Sequence, residues 1–127
     1  MANQQNQPSQ SSHQYAGGCH CGDLRFTANI DLSKTIVCNC SICKKRGLIL
    51  AFAPIAEFSQ IAGAGKAREY LFNKHRIRHQ FCLNCGVEAF AFGEMPDGSK
   101  MAAINVRCID DIDLDSVHPT PFDGASR

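Results

Sequence analysis

The sequence predicts one mainly β domain with metal-binding knuckles, which are tight turns that hold an ion through cysteines. From Gly17 onward, short apolar runs are separated by Gly, Pro, Asn and Asp, a pattern typical of strand-rich domains. The spacing that predicts a long amphipathic helix is missing. Cysteines recur in close groups between the predicted strands. With 127 residues, the chain is long enough for one domain with a modest core.

The N-terminal residues differ in composition from the rest. Residues 1–14 are rich in Gln, Asn and Ser and contain no Lys, Arg, Asp or Glu, so they cannot offset the entropy of ordering. We predict a disordered tail at 1–14 and a folded domain at 15–127. The tail lacks the features of a signal peptide, and no apolar run approaches the roughly 20 residues of a membrane span. The sequence therefore predicts a cytoplasmic protein with no membrane partner.

The first half of the domain is predicted to contain three strands. Leu24 and Phe26 alternate with polar neighbours, as in a half-buried strand. The apolar run LILAFAP is typical of a buried strand, and Pro54 ends it. Besides the strand around Leu24, strands are expected at 35–37 and 48–54, followed by a helical turn within 55–60.

The second half continues the strand pattern. Gly63 and Gly65 predict a turn, and the alternation in VEAFAFGE places Phe90 and Phe92 on one face of a strand. The sequence MPDG is a hairpin signal. Strands are expected at 68–72, 76–81, 87–94 and 101–106, with an acidic, proline-containing and irregular surface segment after residue 107.

Seven of the eight cysteines lie in three clusters, and this grouping predicts metal binding. A disulfide framework is the main alternative, because the cysteine count is even. However, cysteines one or two residues apart bridge each other poorly, and no signal peptide is evident. Thiol redox chemistry is a further alternative. The clusters are Cys19 and Cys21; Cys38, Cys40 and Cys43; and Cys82 and Cys85.

The number of clustered cysteines, four in two pairs and three in the triplet, predicts two zinc ions per chain. Zinc takes four tetrahedral ligands, with Zn–S distances of about 2.3 Å. The triplet lies within six residues, so one loop can wrap three sulfurs around one ion and leave its fourth position open. The two pairs, each followed by a glycine, would form a closed structural site that contributes on the order of 10 kcal/mol to folding. These pairs are Cys19 with Cys21, before Gly22, and Cys82 with Cys85, before Gly86.

A protein ligand at the fourth position of the triplet is the alternative to an open site. His79 is the strongest candidate, because it lies three residues before Cys82 on a predicted strand. A strand histidine whose ring is hydrogen-bonded is nevertheless the more common case. Cys108 follows a strand and is more typical of a small buried hydrophobic residue. The candidates are His20, His75, His79 and Cys108.

The charge pattern gives no general attraction to nucleic acid, since the formal net charge is +1. Lys44, Lys45 and Arg46 follow the triplet directly. One interpretation is a charge run in solvent. The other is that these residues neutralise the thiolates or bind carboxylates of an anionic substrate, with Lys44 and Arg46 as candidate substrate-binding residues. The basic stretch 74–79 predicts an exposed strand face. Glu88, as a lone carboxylate on a strand, is expected to face solvent.

Four motifs carry a family resemblance: GGCHCGDLRF at 17–26, CNCSICKKRG at 38–47, FCLNCGVEAF at 81–90 and NVRCID at 105–110. Through them the chain resembles the glutathione-dependent formaldehyde-activating enzymes, a family that also includes centromere protein V. The resemblance spans nearly everything from Gly17 to the FDG near the C-terminus. It implies an Mss4-like, largely antiparallel β fold.

The resemblance also implies a site assignment and a reaction. Cys19, Cys21, Cys82 and Cys85 would hold a structural zinc, and Cys38, Cys40 and Cys43 would hold a second zinc at the catalytic site. The implied activity joins glutathione to formaldehyde as S-hydroxymethylglutathione, classed in reverse as that of a carbon–sulfur lyase. The partners would be a small thiol and an aldehyde.

A zinc-stabilised binding module without enzymatic activity is the alternative function, as in the fold relative that binds small GTPases. The chain is shorter than the founding formaldehyde enzyme. Its neutral tail lacks the basic character that binding to microtubules or DNA would need. Metal stoichiometry separates the two hypotheses, because only the enzyme needs the second ion.

Overall fold

The protein is described here by a computed structural model that covers residues 12–71 and 77–126. This part contains ten strands and one short α-helix, which confirms the mainly β prediction. No helix in the same part is long and apolar enough to cross a membrane. The elements are β1 (Ser12–Gly18), β2 (Arg25–Asp31), β3 (Ile36–Cys38), α1 (Ser41–Arg46), β4 (Leu50–Pro54), β5 (Phe58–Ala62), β6 (Ala67–Tyr70), β7 (Ile77–Cys82), β8 (Phe90–Glu94), β9 (Lys100–Asn105) and β10 (Thr120–Phe122).

The strands form two sheets. The smaller sheet has the order β1-β2-β5, and the larger has the order β10-β3-β4-β9-β8-β7-β6. All pairings are antiparallel except that of β10 with β3. The predicted antiparallel architecture is therefore confirmed.

An aromatic cluster joins the two sheets. Phe26 and Phe58 belong to the smaller sheet, and Phe90 and Phe92 belong to the larger one. The rings of Phe58 and Phe90 lie 5.1 Å apart between centroids, and those of Phe26 and Phe90 lie 6.0 Å apart, both edge-on. Each such aromatic pair stabilises the fold by about 0.5–1.5 kcal/mol, in addition to the effect of burying its apolar surface. The main core lies at this contact, with Phe90 and Phe92 on one face of β8 as predicted.

The opposite face of the larger sheet carries α1. Ala91 of β8 pairs with Ala103 of β9, and both side chains lie beneath Ile42 and Cys43 of the helix. Alternate residues of a strand point to opposite faces, so this alanine pair is on the side away from the phenylalanines. Their small side chains leave room for the helix. The fold thus places the triplet of cysteines on the outer face of the sheet.

Several boundaries differ from the expectations. β1 begins at Ser12, so the last residues of the predicted tail form a strand paired with β2, while residues 1–11 lie outside the described part. β10 lies in the segment that was expected to be irregular. The expected helical turn is confined to Ile55–Glu57 and is followed by β5. Helix α1 was not predicted, because six residues are too few to show a helical period.

Candidate metal centres

The two cysteine pairs come together as predicted. The four Sγ atoms of Cys19, Cys21, Cys82 and Cys85 all lie within 4.8 Å of one another. Cys21 Sγ is 3.6 Å from Cys82 Sγ and 3.7 Å from Cys19 Sγ. Four sulfurs around one zinc at about 2.3 Å would be about 3.8 Å apart, so the donor set fits a tetrahedral ion. The four-cysteine site connects the turn after β1 with the end of β7, and so joins the two sheets.

The backbone around this site donates hydrogen bonds to sulfur. Leu24 N–H donates to Cys19 Sγ at 3.3 Å, and the N–H groups of Asn84 and Cys85 donate to Cys82 Sγ at 3.3 and 3.4 Å. Such donors stabilise a thiolate, the form that binds metal. Gly22 and Gly86, which follow the two pairs, have left-handed φ values of 86° and 81°, a conformation that glycine adopts without strain.

The pKa values of these thiols differ, because burial and hydrogen bonding oppose each other. The backbone N–H of Cys85 is the main cause that lowers the pKa of Cys82. Burial acts to raise the pKa of Cys85, but hydrogen bonds from the N–H groups of Val87 and Cys21, together with the thiols of the other cysteines at the site, lower that pKa to about 6. Burial raises the pKa of Cys19 to about 11. The site therefore favours negative charge at Cys82 and Cys85 before an ion is bound.

The triplet forms a second cluster. Cys38 ends β3, Cys40 precedes α1 and Cys43 lies in its first turn, and their Sγ atoms are within 4.8 Å of one another. The helix brings Cys43 back towards Cys40, with Lys44 N–H donating to the carbonyl oxygen of Cys40 at 2.9 Å. The helix ends at Arg46, and Gly47 caps it with a left-handed φ of 67°.

Three sulfur ligands converge in this triplet without a fourth from the described residues. Within 12–71 and 77–126, no further His, Cys, Asp or Glu ligand atom lies within the same 4.8 Å of all three. His20, His79 and Cys108 therefore do not complete the site, and His75 lies outside the described residues. All eight cysteines are free thiols. The two clusters could each hold a metal ion.

Burial is the largest single influence on the pKa values of the three triplet thiols. It raises the pKa of Cys43 strongly and also raises the pKa of Cys38. Burial acts in the same direction on Cys40, but hydrogen bonds from Cys43 and Cys38 outweigh it and lower the pKa of Cys40. Cys40 is thus the thiol of this cluster that ionises most readily.

The expectation that Glu88 faces solvent is wrong. Its side chain is only 2 % exposed, and it accepts a hydrogen bond from Arg46 while its Oε2 lies 2.7 Å from His79 Nδ1. A charged group that is buried must be paired, and these two partners pair it. The signal in the sequence was the position of Glu88 inside the apolar run VEAFAF, where a solvated carboxylate would be out of place.

The basic run after the triplet divides into two parts. Lys44 and Lys45 are exposed. Arg46 reaches Glu88, and its guanidinium carbon lies 5.9 Å from the ring centroid of Tyr70 and 5.5 Å from that of Phe81. Arg46 is also partly exposed, but its guanidinium is held between two aromatic rings and a carboxylate. The substrate-binding roles of Lys44 and Arg46 stay predictions.

The second basic stretch, 74–79, is described from residue 77 onward. Arg78 is exposed and pairs with Glu69 at 2.8 Å, as expected for a solvent-facing strand position. His79 is instead buried against Glu88. Residues 74–76 lie outside the described part. The prediction of an exposed strand face thus holds for Arg78 but is wrong for His79.

Cys108 belongs to neither cluster. Its thiol accepts a hydrogen bond from Asn105 Nδ2 at 3.5 Å, and the same amide donates to the backbone oxygen of Glu88 at 2.9 Å. Burial raises the pKa of Cys108 to about 11. Cys108 was predicted to be a small buried hydrophobic residue; it packs as a thiol outside both clusters, but it is half-buried.

Comparison with known proteins agrees with the fold and the clusters. The chain is similar to the crystal structure of a Rhodobacter sphaeroides protein, with a TM-score of 0.74 and 24 % sequence identity over 84 % of this chain and 97 % of that one. This likeness shows the fold. A family model described as glutathione-dependent formaldehyde-activating enzyme matches residues 14–121, a range that includes both cysteine clusters. The chain therefore belongs to the family of glutathione-dependent formaldehyde-activating enzymes.

Proposed function

We propose that the protein is a zinc-dependent enzyme of the carbon–sulfur lyase type, which forms or cleaves an adduct between a small thiol and an aldehyde. The observation that carries the proposal is the triplet, whose three sulfurs converge without a fourth ligand from the described residues. A site with three protein ligands is typical of catalytic zinc. Family membership supports glutathione and formaldehyde as the substrate pair.

The donor set of each cluster suits zinc, because thiolates select soft or borderline metals. In this proposal Cys19, Cys21, Cys82 and Cys85 hold the structural ion, and Cys38, Cys40 and Cys43 hold the second. When bound, zinc would lower the pKa of a thiol in the open position, so that the thiolate is present near neutral pH. Reduced thiols persist in a reducing compartment, which supports a cytoplasmic location.

The proposed reaction is the addition of a thiol across the carbonyl group of the aldehyde. The sulfur of the thiol bonds to the aldehyde carbon, the carbonyl π bond opens towards oxygen, and the proton lost by the thiol is balanced by the one that oxygen gains. The triplet cysteines act as metal ligands and do not attack the aldehyde. The positive charge of Arg46, which Glu88 and two aromatic rings hold in place, lies on the helix that carries Cys43. In the proposed complex, the aldehyde oxygen would lie towards this cation, which would favour the developing oxyanion.

The exchange of formaldehyde with glutathione, followed by NMR exchange spectroscopy, tests this function. We expect the purified protein with both sites loaded to accelerate formation and breakdown of S-hydroxymethylglutathione. Cys40→Ser is the matched control, because it removes one ligand of the triplet and leaves the four-cysteine site untouched. Exchange that is equally fast with and without the loaded protein would exclude glutathione and formaldehyde as the substrate pair.

Lys44 is proposed to attract the carboxylates of the thiol substrate. Replacing it with alanine should raise KM for glutathione about two- to fivefold, as expected for one exposed ionic contact, and leave kcat nearly unchanged. Lys34→Ala removes an exposed lysine in the turn before β3 and serves as the charge-matched control. If both variants change KM equally, the effect is one of net charge and Lys44 has no place in the site.

Metal stoichiometry separates the enzyme from the non-enzymatic binding module. Two zinc ions per chain, the second with a ligand that exogenous thiols replace, would support the enzyme. A single tightly held zinc would support the module, because the four-cysteine site alone is enough to hold the fold.

A further inference from the structure

The chain segment at 122–126, here called the C-terminal cap, lies against the loop that carries Cys38 and Cys40. β10 leads into it and pairs in parallel with β3, so that Phe122 is in register with Cys38. The N–H of Asn39, between these two cysteines, donates to the carbonyl oxygen of Phe122 at 3.1 Å. The backbone of the cap is therefore tied to the cysteine loop itself.

The side chain of Asn39 makes the second connection. Its Nδ2 donates to Asp123 Oδ1 at 3.1 Å, and its Oδ1 accepts from the N–H of Ala125 at 2.8 Å. Ser126 Oγ donates to the other carboxylate oxygen of Asp123 at 2.7 Å. Because both ends of the Asn39 amide are bonded to the cap, the loop between the two cysteines cannot rotate without breaking these contacts.

Gly124 makes the closest approach to the sulfurs. A Cβ added at this position would lie 2.4 Å from Cys38 Sγ and 3.4 Å from the Cβ of Cys40. The φ of Gly124 is not left-handed, so its backbone conformation does not demand glycine. The lack of a side chain instead lets the backbone of Gly124, whose N–H donates to the carbonyl oxygen of Phe122 at 3.1 Å, pass close to Cys38 Sγ. Gly124 is therefore required because Cys38 Sγ leaves no space for a side chain at this position.

We propose that the C-terminal cap is a positioning element for the second metal site, with Gly124 and Asn39 as its positioning residues. The proposal rests on the proposed function only in taking the triplet as a metal site. Groups that orient metal ligands from outside typically change metal affinity by about 10- to 100-fold when they are removed. Losing the cap contacts should therefore weaken metal binding at the triplet by about tenfold or more, while the four-cysteine site is unaffected.

Cobalt titration of the full chain tests the proposal. Co²⁺ bound to thiolates absorbs visible light, so the two sites are followed without any activity assay. Wild-type protein should bind two Co²⁺ ions, and Gly124→Ala should bind the first normally and the second about tenfold or more weakly. Ser59→Ala is the control, since it changes an exposed side chain of β5 in the smaller sheet and touches neither the cap nor a cysteine cluster.

A second variant distinguishes an effect on metal binding from misfolding caused by the added Cβ at Gly124. Asn39→Ala removes the amide contacts without placing any atom against sulfur, and it should also weaken the second Co²⁺ site. Unchanged affinity and spectrum in both Gly124→Ala and Asn39→Ala would overturn the proposal, as would a wild-type protein that binds one Co²⁺ ion. If wild-type protein with two bound ions does not accelerate formaldehyde–glutathione exchange, the proposed function is wrong. The cap proposal is unaffected by that result.

Discussion

Cys85→Ser is expected to unfold the domain, whereas Cys40→Ser should leave the fold intact and lose the second metal ion. Cys85 belongs to the four-cysteine site that joins the two sheets. A structural zinc contributes on the order of 10 kcal/mol, which is comparable to the whole stability of a small domain, about 5–15 kcal/mol. Removing one of its four ligands should therefore lower the population of folded protein severely.

Cys40 lies where its loss does less harm to the fold. The triplet is on the outer face of the larger sheet, and the main core between the sheets does not depend on it. Circular dichroism melting and metal analysis of both variants, prepared with zinc present, measure the difference. Equal melting temperatures would contradict the division into one structural site and one site with an open position.

Glu88→Ala is expected to destabilise the protein by about 1–3 kcal/mol, the usual cost of leaving a buried hydrogen-bonding group such as the His79 ring without its partner. The change would leave the guanidinium of Arg46 and the ring of His79 without the carboxylate that now accepts their hydrogen bonds. Arg46 is also the last residue of α1, whose first turn carries Cys43. Loss of this anchor should therefore reduce metal affinity at the triplet as well.

Urea unfolding of the zinc-loaded protein measures the effect of Glu88→Ala. Glu94→Ala is the matched control, because Glu94 pairs with Lys100 at the surface and should contribute little. Glu88→Gln keeps the size and one acceptor of the side chain and should lie between the two. If Glu88→Ala and Glu94→Ala unfold at the same urea concentration, the buried network does not stabilise the fold.

Local patterns in the sequence were enough to predict the metal clusters and most strands. Three cysteines within six residues can converge on one ion without any distant partner, and the alternation around Phe90 and Phe92 is readable over a few positions. The assignment of Cys19 and Cys21 to the same site as Cys82 and Cys85 also followed, because the pairs were what remained after the triplet was counted.

Features that depend on distant contacts were not predictable in the same way. β10 is a strand because it pairs with β3, and its own sequence, TPF, contains a proline that is tolerated at this sheet edge. The polar start of β1 is ordered by pairing with β2. The apolar run around Glu88 was a local sign of burial, but its partners Arg46 and His79 could not be identified, because they meet it only in the folded protein.

Cys21 and Cys82 are 61 positions apart in the chain, yet their sulfurs lie 3.6 Å from each other. Bringing the ends of a loop of this length together costs about 3–4 kcal/mol of chain entropy before the two cysteine pairs can meet. An ion captured early by both pairs would hold that loop shut while the sheets assemble. Renaturation speed, as well as final stability, should consequently depend on whether zinc is present when the denaturant is removed.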